Sequence, residues 1–225
     1  IAAGKAPDIA ASNYWFPTAL EIVQPLPSYF NVNDGFWDKR VTDAYSAGGK
    51  NYFVNAINSV FCTGYMVFYN KTLFNTAGLK TPQDYLDEGS WSWENFKAVA
   101  KSCVEAGFKG AIIDPLVIAE QMGETLVEYD PKSGTFSGNT TSNSVIKALQ
   151  YGSTGLEEGM FYNALASSFS QGGIGMTILG TYGLKYDGYF RNMLPSAIGV
   201  VPLPDSFEGK KLKYMPTGGR GYGIC

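Results

Sequence analysis

Two loops that follow predicted strands carry aromatic and polar side chains of the kind that bind a polar solute. The first loop contains Asn13 and Trp15, just after a short apolar strand. The second begins at Asp114, where the buried strand 109–113 ends. Aromatic rings pack on the apolar faces of a solute, and carboxylates and amides form hydrogen bonds with its hydroxyl groups. Such loops at the carboxyl ends of strands predict a binding site for a small polar molecule.

Each of these residues also has a purely structural interpretation. Trp15 can be a core residue at the start of a helix, and Asp114 can form a turn before Pro115. Tyr65 lies in the apolar and aromatic run 60–69, where it can either pack or contact a ligand. The residues themselves leave these alternatives open.

The chain contains no histidine, which limits the chemistry that an enzyme could use. Ser-His and Cys-His nucleophile pairs, HExxH zinc sites and the usual general base at neutral pH are excluded. The glycine-rich segments 173–175 and 219–221 lack the spacing of a phosphate-binding loop. A glycosidase that uses two carboxylates is still compatible with the composition, and Asp114, Glu120 and Glu124 are its candidate acids.

The composition excludes several other classes of protein. Charged residues make up 16% of the chain and hydrophobic residues 45%, as in a globular protein. A net charge of −3 without a basic run argues against nucleic acid as a partner. The most apolar stretch, residues 60–68, is too short to span a bilayer. Cys62, Cys103 and Cys225 lack CxxC spacing, which favours buried free thiols, although one disulfide pair stays open.

Apolar periodicity and end signals predict strands that alternate with helices. Ser92 is the expected N-cap of a helix that runs to about Ala106, is stopped by Gly107, and buries Trp93 and Phe96. Another helix is expected over residues 119–126. This alternation predicts an α/β fold with largely parallel sheets.

Five segments, spread over nearly the whole chain, share their order and spacing with a known family. They are Ala6-Pro-Asp-Ile9, Gly64-Tyr-Met-Val-Phe-Tyr-Asn-Lys71, Ser92-Trp-Glu-Asn-Phe-Lys97, Phe169-Ser-Gln-Gly-Gly-Ile-Gly-Met176, and Gly199-Val-Val-Pro-Leu-Pro204 with Gly218-Gly219. Together they resemble the extracellular solute-binding proteins of ABC importers, in the sugar-binding branch that is similar to maltose-binding protein.

This resemblance implies a periplasmic-binding-protein-like α/β fold. It would have two lobes, each a mainly parallel sheet flanked by helices, joined by crossing strands. Residues 1–64 and 202–225 would form the first lobe, and residues 65–201 would form the second. The family's first N-terminal strand and C-terminal helices are missing from the sequence, so we expect an internal segment of a longer protein.

The missing histidine and the lack of an evident pair of acids favour binding without catalysis, and we expect no cofactor or metal. The resemblance implies the function itself. Such a protein binds a solute, here a mono- or oligosaccharide, in the cleft between its lobes and delivers it to the permease subunits of an ABC transporter. Its location would be extracytoplasmic, in the periplasm or lipid-anchored at the outer face of the cell membrane. It would meet the membrane only through an anchor or the permease. A solute sensor that serves a receptor shares the fold, and the sequence does not separate the two.

The resemblance adds site residues to those found in the strand-end loops. Tyr182 takes the position of a stacking aromatic residue, in the loop 180–183. Arg220 follows Gly219 where relatives often carry an apolar or aromatic residue, and its side chain can reach a ligand or lie in solvent. The predicted ligand-binding residues are therefore Asn13, Trp15, Tyr65, Asp114, Tyr182, Gly219 and Arg220.

Overall fold

The chain folds into two compact units, described here for residues 7–12, 20–57, 63–130, 132–184, 189–213, 217–218 and 221–225 of a computed structural model. Unit 1 comprises residues 1–63, 127–138 and 217–225, and unit 2 comprises residues 64–126 and 139–216. No helix within the described residues has the length and apolar character needed to cross a membrane.

Short strands and helices alternate along the described chain. The strands are β1 (Ile9–Ser12), β2 (Ser46–Ala47), β3 (Lys50–Asn51), β4 (Thr63–Asn70), β5 (Lys109–Ile112), β6 (Val127–Asp130), β7 (Thr135–Gly138), β8 (Phe161–Tyr162), β9 (Ile174–Gly180), β10 (Ile198–Pro202), β11 (Ser206–Phe207), β12 (Lys210–Lys211), β13 (Thr217–Gly218) and β14 (Gly221–Ile224). The helices are α1 (Lys39–Ala44), α2 (Lys71–Ala77), α3 (Pro82–Asp87), α4 (Trp93–Glu105), α5 (Leu116–Gln121) and α6 (Asn143–Glu157), with 3₁₀ helices at Ala166–Gln171, Thr181–Leu184 and Pro195–Ala197.

Unit 1 is built from antiparallel strand pairs around a small apolar core. β1 pairs with β14, and β2 pairs with β3. Gly48 and Gly49 join β2 to β3 with φ of 58° and 73°, which suits the two-residue hairpin turn that needs positive φ at both positions. The buried apolar residues of this core are Val23, Val41, Tyr45, Ala47 and Phe53.

The hairpin β6–β7 belongs to unit 1, although its sequence lies between α5 and α6 of unit 2. Tyr129 and Phe136 pack against the unit 1 core. The backbone N–H of Gly48 also donates a hydrogen bond to the hydroxyl of Tyr129, at 2.5 Å. The resemblance implied that residues 65–201 form one lobe. These lobe boundaries remain a prediction.

Unit 2 contains a mixed sheet with the strand order β10-β4-β9-β5-β8. β5 runs parallel to both β8 and β9, whereas β4 runs antiparallel to β9 and β10. All seven residues of β9 are buried, as expected for a central strand that is covered on both faces. This strand order decides which loops meet at each edge of the sheet.

Helix α4 confirms the helix that Ser92 predicted. The Ser92 hydroxyl accepts a hydrogen bond from the N–H of Asn95, and Trp93, Phe96 and Cys103 are all fully buried. The indole N–H of Trp93 donates to the side-chain oxygen of Gln121 at 2.9 Å. The polar atom of this large core residue is therefore satisfied by a neighbouring element.

Helix α5 corrects the helix predicted over residues 119–126. It starts at Leu116, three residues earlier, and ends at Gln121. The cause is local, because an Asp114 carboxylate oxygen accepts from the N–H of Leu116 at 3.0 Å and Pro115 precedes the first helical residue. Gly123 has a φ of 90°, so the chain cannot continue as a helix there.

The cysteines partly follow the sequence-based prediction. Cys103 is a free, fully buried thiol, and burial raises its pKa to about 12. It packs against Gly175, where an added Cβ would lie 2.5 Å from the sulfur. Cys225 is also free but partly exposed, and Cys62 lies outside the described residues.

Candidate functional site

Four strands of unit 2 bring polar loops to one edge of the sheet. Ile112 of β5 pairs with Tyr162 of β8 and with Thr177 of β9, and all three strands run in the same direction. Their carboxyl ends therefore meet at the same edge. β4 runs the other way, so its amino end, with Tyr65 opposite Gly180, reaches that edge too.

We call this region the carboxyl edge. It is formed by the residues at or just beyond these strand ends, which are Tyr65, Asp114, Asn163 and Thr181. They combine one aromatic ring, one carboxylate, one amide and one hydroxyl group, which is the donor and acceptor set that hydroxylated solutes require. No lysine or arginine belongs to this set of described residues.

Asp114 has the turn-forming role that the sequence left open, while its contact with a solute stays a prediction. Its side chain is exposed, and its Oδ1 accepts the N–H of Leu116, so it does form the turn that starts α5. Oδ2 has no hydrogen-bond partner within the described residues and is available to a solute. The turn thus holds the carboxylate in place at the strand end.

Tyr65 is partly buried and packs against the core of unit 2. The packing interpretation of this residue is therefore confirmed, while its contact with a ligand stays a prediction. Tyr65 lies near the start of β4, opposite the last residue of β9.

Tyr182 lies in the 3₁₀ helix Thr181–Leu184, directly after β9. Gly183 allows this turn to fold back on the strand, because an added Cβ there would lie 2.4 Å from the Leu179 side chain. The side chain of Tyr182 is outside the described part of the structure. Asn13, Trp15, Gly219 and Arg220 also lie outside the described residues, so their roles remain predictions.

Glu120, on α5, is the second acidic group near this edge. It is partly buried, and burial raises the pKa of its carboxyl, with a further rise from the nearby carboxylate of Asp114. Glu124, the third candidate acid, accepts a hydrogen bond from the side-chain amide of Asn139 at 2.9 Å. Of the three acids, only Asp114 presents an exposed carboxylate at the carboxyl edge.

The comparisons with known proteins agree with this architecture. The chain matches the family of bacterial extracellular solute-binding proteins over residues 1–224. It belongs to that family. No curated protein matches the chain. The resemblance inferred from five short segments is therefore confirmed at the level of the family.

Solved structures of solute-binding proteins share the fold. The GacH receptor of Streptomyces glaucescens, solved without ligand and with acarbose, is 20% identical and has a TM-score of 0.67. The cyclic alpha-maltosyl-1,6-maltose binding protein of Arthrobacter globiformis is 19% identical, with a TM-score of 0.70. UgpB of Mycobacterium tuberculosis, in complex with glycerophosphocholine, is 19% identical, with a TM-score of 0.68.

These likenesses cover 99%, 99% and 98% of the chain, respectively, but 57% of each solved protein. The chain thus spans a little over half the length of these binding proteins. The two-lobed α/β fold predicted from the sequence is confirmed.

The sequence analysis did not identify Asn163 and Thr181, which belong to the candidate site of this family member. Asn163 follows β8, whose two residues are too few to show a strand periodicity. Thr181 follows a strand that was recognised, but only the pairing with β4 shows that it lies beside Tyr65. A rule that marks every polar residue directly after a buried strand would have found Thr181 but not Asn163, because the sequence does not reveal β8.

Proposed function

We propose that this chain is the solute-binding part of an ABC importer's binding protein and that its solute is a carbohydrate. The observation that carries the proposal is the family match over residues 1–224. The solute would bind at the carboxyl edge of unit 2, and the protein would deliver it to the permease subunits. This activity takes place outside the cytoplasm, with contact to the membrane only through an anchor or the permease.

The chemistry of the carboxyl edge supports a neutral, hydroxylated solute. The free oxygen of Asp114 can accept from hydroxyl groups, and the Asn163 amide can both donate and accept. Tyr65 supplies the apolar surface that a sugar ring needs. Asn13, Trp15, Tyr182, Gly219 and Arg220 are proposed as further contacts.

The ligands of the solved relatives support a carbohydrate as the solute. They also show which other class of solute has to be considered. Relatives are described with acarbose, with cycloalternan and with lacto-N-biose, whereas one holds glycerophosphocholine. A phosphodiester favours a cationic partner, and Arg220 is the one cationic residue among the proposed contacts. Three of these four ligands are carbohydrates, which supports a carbohydrate as the solute.

We propose binding without catalysis. A glycosidase requires two carboxyl groups that face one sugar, about 5–9 Å apart, with an acid and a base or nucleophile in separate roles. Within the described residues, Asp114 keeps one carboxylate oxygen free, but Glu120 is partly buried, so of the candidate acids only Asp114 presents an exposed carboxylate at the carboxyl edge. Incubation with labelled oligosaccharides should release no new reducing ends, and their release would overturn this part of the proposal.

The decisive experiment is a binding screen on the full-length protein. Calorimetry and thermal shift would compare maltose, cyclic and linear oligosaccharides and lacto-N-biose with glycerophosphocholine, peptides and polyamines. We expect binding of at least one carbohydrate. If only glycerophosphocholine, a peptide or a polyamine binds, the carbohydrate assignment is refuted, whereas the proposal that the protein binds a solute for import still stands.

Variants locate the site. Asp114→Ala and Tyr65→Ala should each weaken carbohydrate binding about tenfold or more, because each removes a solute contact at the carboxyl edge. Asn192→Ala is the matched control, because Asn192 borders a separate cavity of unit 2 together with Asn70, at the other end of β4. Equal affinities for all three variants would place the site elsewhere.

A further inference from the structure

Another cavity of unit 2 is distinct from the carboxyl edge and has a cationic lining. Its volume is about 360 Å³, which is within the size range of sites for small molecules. Its described lining includes four lysines and one acid, which are Lys147 of α6, Lys210 and Lys211 of β12, Lys213, and Glu208. We call it the lysine cavity. Because the whole chain has a net charge of −3, this excess of positive charge runs against the overall balance.

Two of the four lysines are held by ion pairs, and the other two are not. The ammonium group of Lys147 pairs with the carboxylate of Glu208, and Lys211 pairs with an acid that does not line the cavity. Lys210 and Lys213 are exposed, and neither side chain has an ion pair or hydrogen bond within the described part of the chain. An anion in the cavity would compensate these two charges.

Gln121 adds a buried hydrogen-bond donor to the wall of the lysine cavity. It is 4% exposed, and two hydrogen bonds fix its side chain. Its oxygen accepts from the indole N–H of Trp93 at 2.9 Å, and its amide nitrogen donates to the carbonyl of Pro204 at 3.0 Å. A glutamine amide has two N–H groups, and the second one of Gln121 has no partner among the described residues. A buried donor without a partner is costly, which favours an acceptor in the cavity.

The hairpin β11–β12 holds part of this lining in a fixed conformation. Its turn residues Glu208 and Gly209 have φ of 49° and 72°, and Glu208 is the one non-glycine residue with positive φ in the described chain. Such a backbone conformation persists only where the surroundings enforce it. The carboxylate of Glu94 accepts from the N–H of Glu208 at 2.7 Å, and the ring centroids of Phe207 and Tyr151 lie 5.7 Å apart. The hairpin therefore presents its lysines from a pre-organised backbone, which lowers the cost of binding.

From this geometry we infer that the lysine cavity binds an anion that carries phosphate. The inference is independent of the proposed carbohydrate function. The oxygens of a phosphate group can accept charge-assisted hydrogen bonds from several donors at once. A carboxylate is matched best by the planar fork of arginine, which is absent from the described lining, whereas lysine binds phosphate as a point charge. A free phosphate compound and a lipid headgroup share this chemistry.

Calorimetry on the full-length protein with inorganic phosphate, pyrophosphate and citrate tests the inference. We expect pyrophosphate to bind most tightly and its affinity to fall as the salt concentration rises. A double variant, Lys210→Ala with Lys213→Ala, should weaken pyrophosphate binding about tenfold or more. The matched control is Lys50→Ala with Lys132→Ala, which removes the same charge from two exposed lysines of unit 1 and should bind pyrophosphate like the unchanged protein.

Cosedimentation with vesicles separates the two sources of phosphate. Binding to phosphatidylglycerol vesicles but not to phosphatidylcholine vesicles, lost in the Lys210 and Lys213 double variant, would assign the cavity to a lipid headgroup. Retained pyrophosphate binding without vesicle binding would assign it to a free phosphate compound.

Three results would overturn the inference. They are absence of pyrophosphate binding, tighter binding of citrate than of pyrophosphate, and an equal loss of affinity in the double variant and its control. The last result would show that the anion responds only to the overall charge of the protein. None of them bears on carbohydrate binding, which the separate screen decides.

Discussion

The two units of this chain bury their apolar residues in different ways. Within the described residues, the main core of unit 2 joins α2, α4, α5 and α6 to the central strands and includes Trp91, Trp93 and Phe96. The core of unit 1 is small and collects residues as distant in sequence as Val23 and Phe53, with Tyr129 packed against it. Burial of apolar surface is the main source of stability. Unit 2 is therefore expected to be the more stable unit, and it carries the carboxyl edge.

The largest effect should come from truncating one core aromatic residue in each unit. Trp93→Ala and Phe53→Ala each remove a fully buried ring and should each cost about 3–5 kcal/mol of the free energy of unfolding. Hydrogen exchange followed by mass spectrometry would show where protection is lost. We expect loss in unit 2 for Trp93→Ala and in unit 1 for Phe53→Ala. Loss of protection in both units from Phe53→Ala would show that they unfold as one.

A smaller effect is expected from filling the space beside β8. Gly155→Ala places a methyl group against the Phe161 ring and should cost about 1–3 kcal/mol by overpacking in unit 2. Gly35→Ala in unit 1 is the control, because nothing lies within 4 Å of an added Cβ there. Urea denaturation measures both variants. If Gly155→Ala leaves the free energy of unfolding unchanged, β8 can shift to make room for the added methyl group.

Acid should affect unit 1 through Asp38. The Asp38 carboxylate is buried, caps α1 and bonds to Arg40, and this hydrogen bond with the Arg40 side chain is the main reason that the Asp38 pKa is lowered. A lowered pKa in the folded state means that the stabilisation is complete above the unfolded value of about 3.9 and disappears as pH falls through the folded value.

Asp38→Ala should therefore cost about 1 kcal/mol at neutral pH and much less at the lowest pH at which the protein folds. Hydrogen exchange of unit 1 peptides at several pH values tests this difference. In unit 2, hydrogen bonds from the backbone and the hydroxyl of Thr81 also lower the pKa of Asp84. Asp84→Ala therefore gives the matched comparison at an exposed carboxylate in the capping box of α3. An Asp38→Ala cost that does not change with pH would contradict the assignment.

An effect of similar size concerns two buried threonines. The hydroxyl of Thr177 in unit 2 is buried and has no hydrogen-bond partner in the described structure, whereas Thr42 in unit 1 donates to the carbonyl of Asp38 at 3.2 Å. Thr177→Val should raise the free energy of unfolding by about 1 kcal/mol, and Thr42→Val should lower it by a similar amount. Chemical denaturation measures both, and destabilisation by Thr177→Val would reveal a partner for this hydroxyl.

Local features of the fold followed from short stretches of sequence. The cap at Ser92, the end of α2 at Gly78 and the turn at Gly48 and Gly49 depend on residues that are neighbours in the chain. Their conformations are set by side-chain capping and by the freedom of glycine to adopt positive φ. The start of α5 was missed because the Asp114 turn and Pro115 were treated as a break rather than as the beginning of a helix.

The sequence by itself determined the family, the alternation of strands and helices, and the position of Asp114 at a strand end. Only the tertiary structure decided that β4 and β8 lie at opposite ends of a four-strand edge, which places Tyr65 and Asn163 in one candidate site. It also decided that β6 and β7 join unit 1. Strand order and hairpin placement depend on pairings between residues far apart in the chain, where packing of many side chains outweighs local propensity.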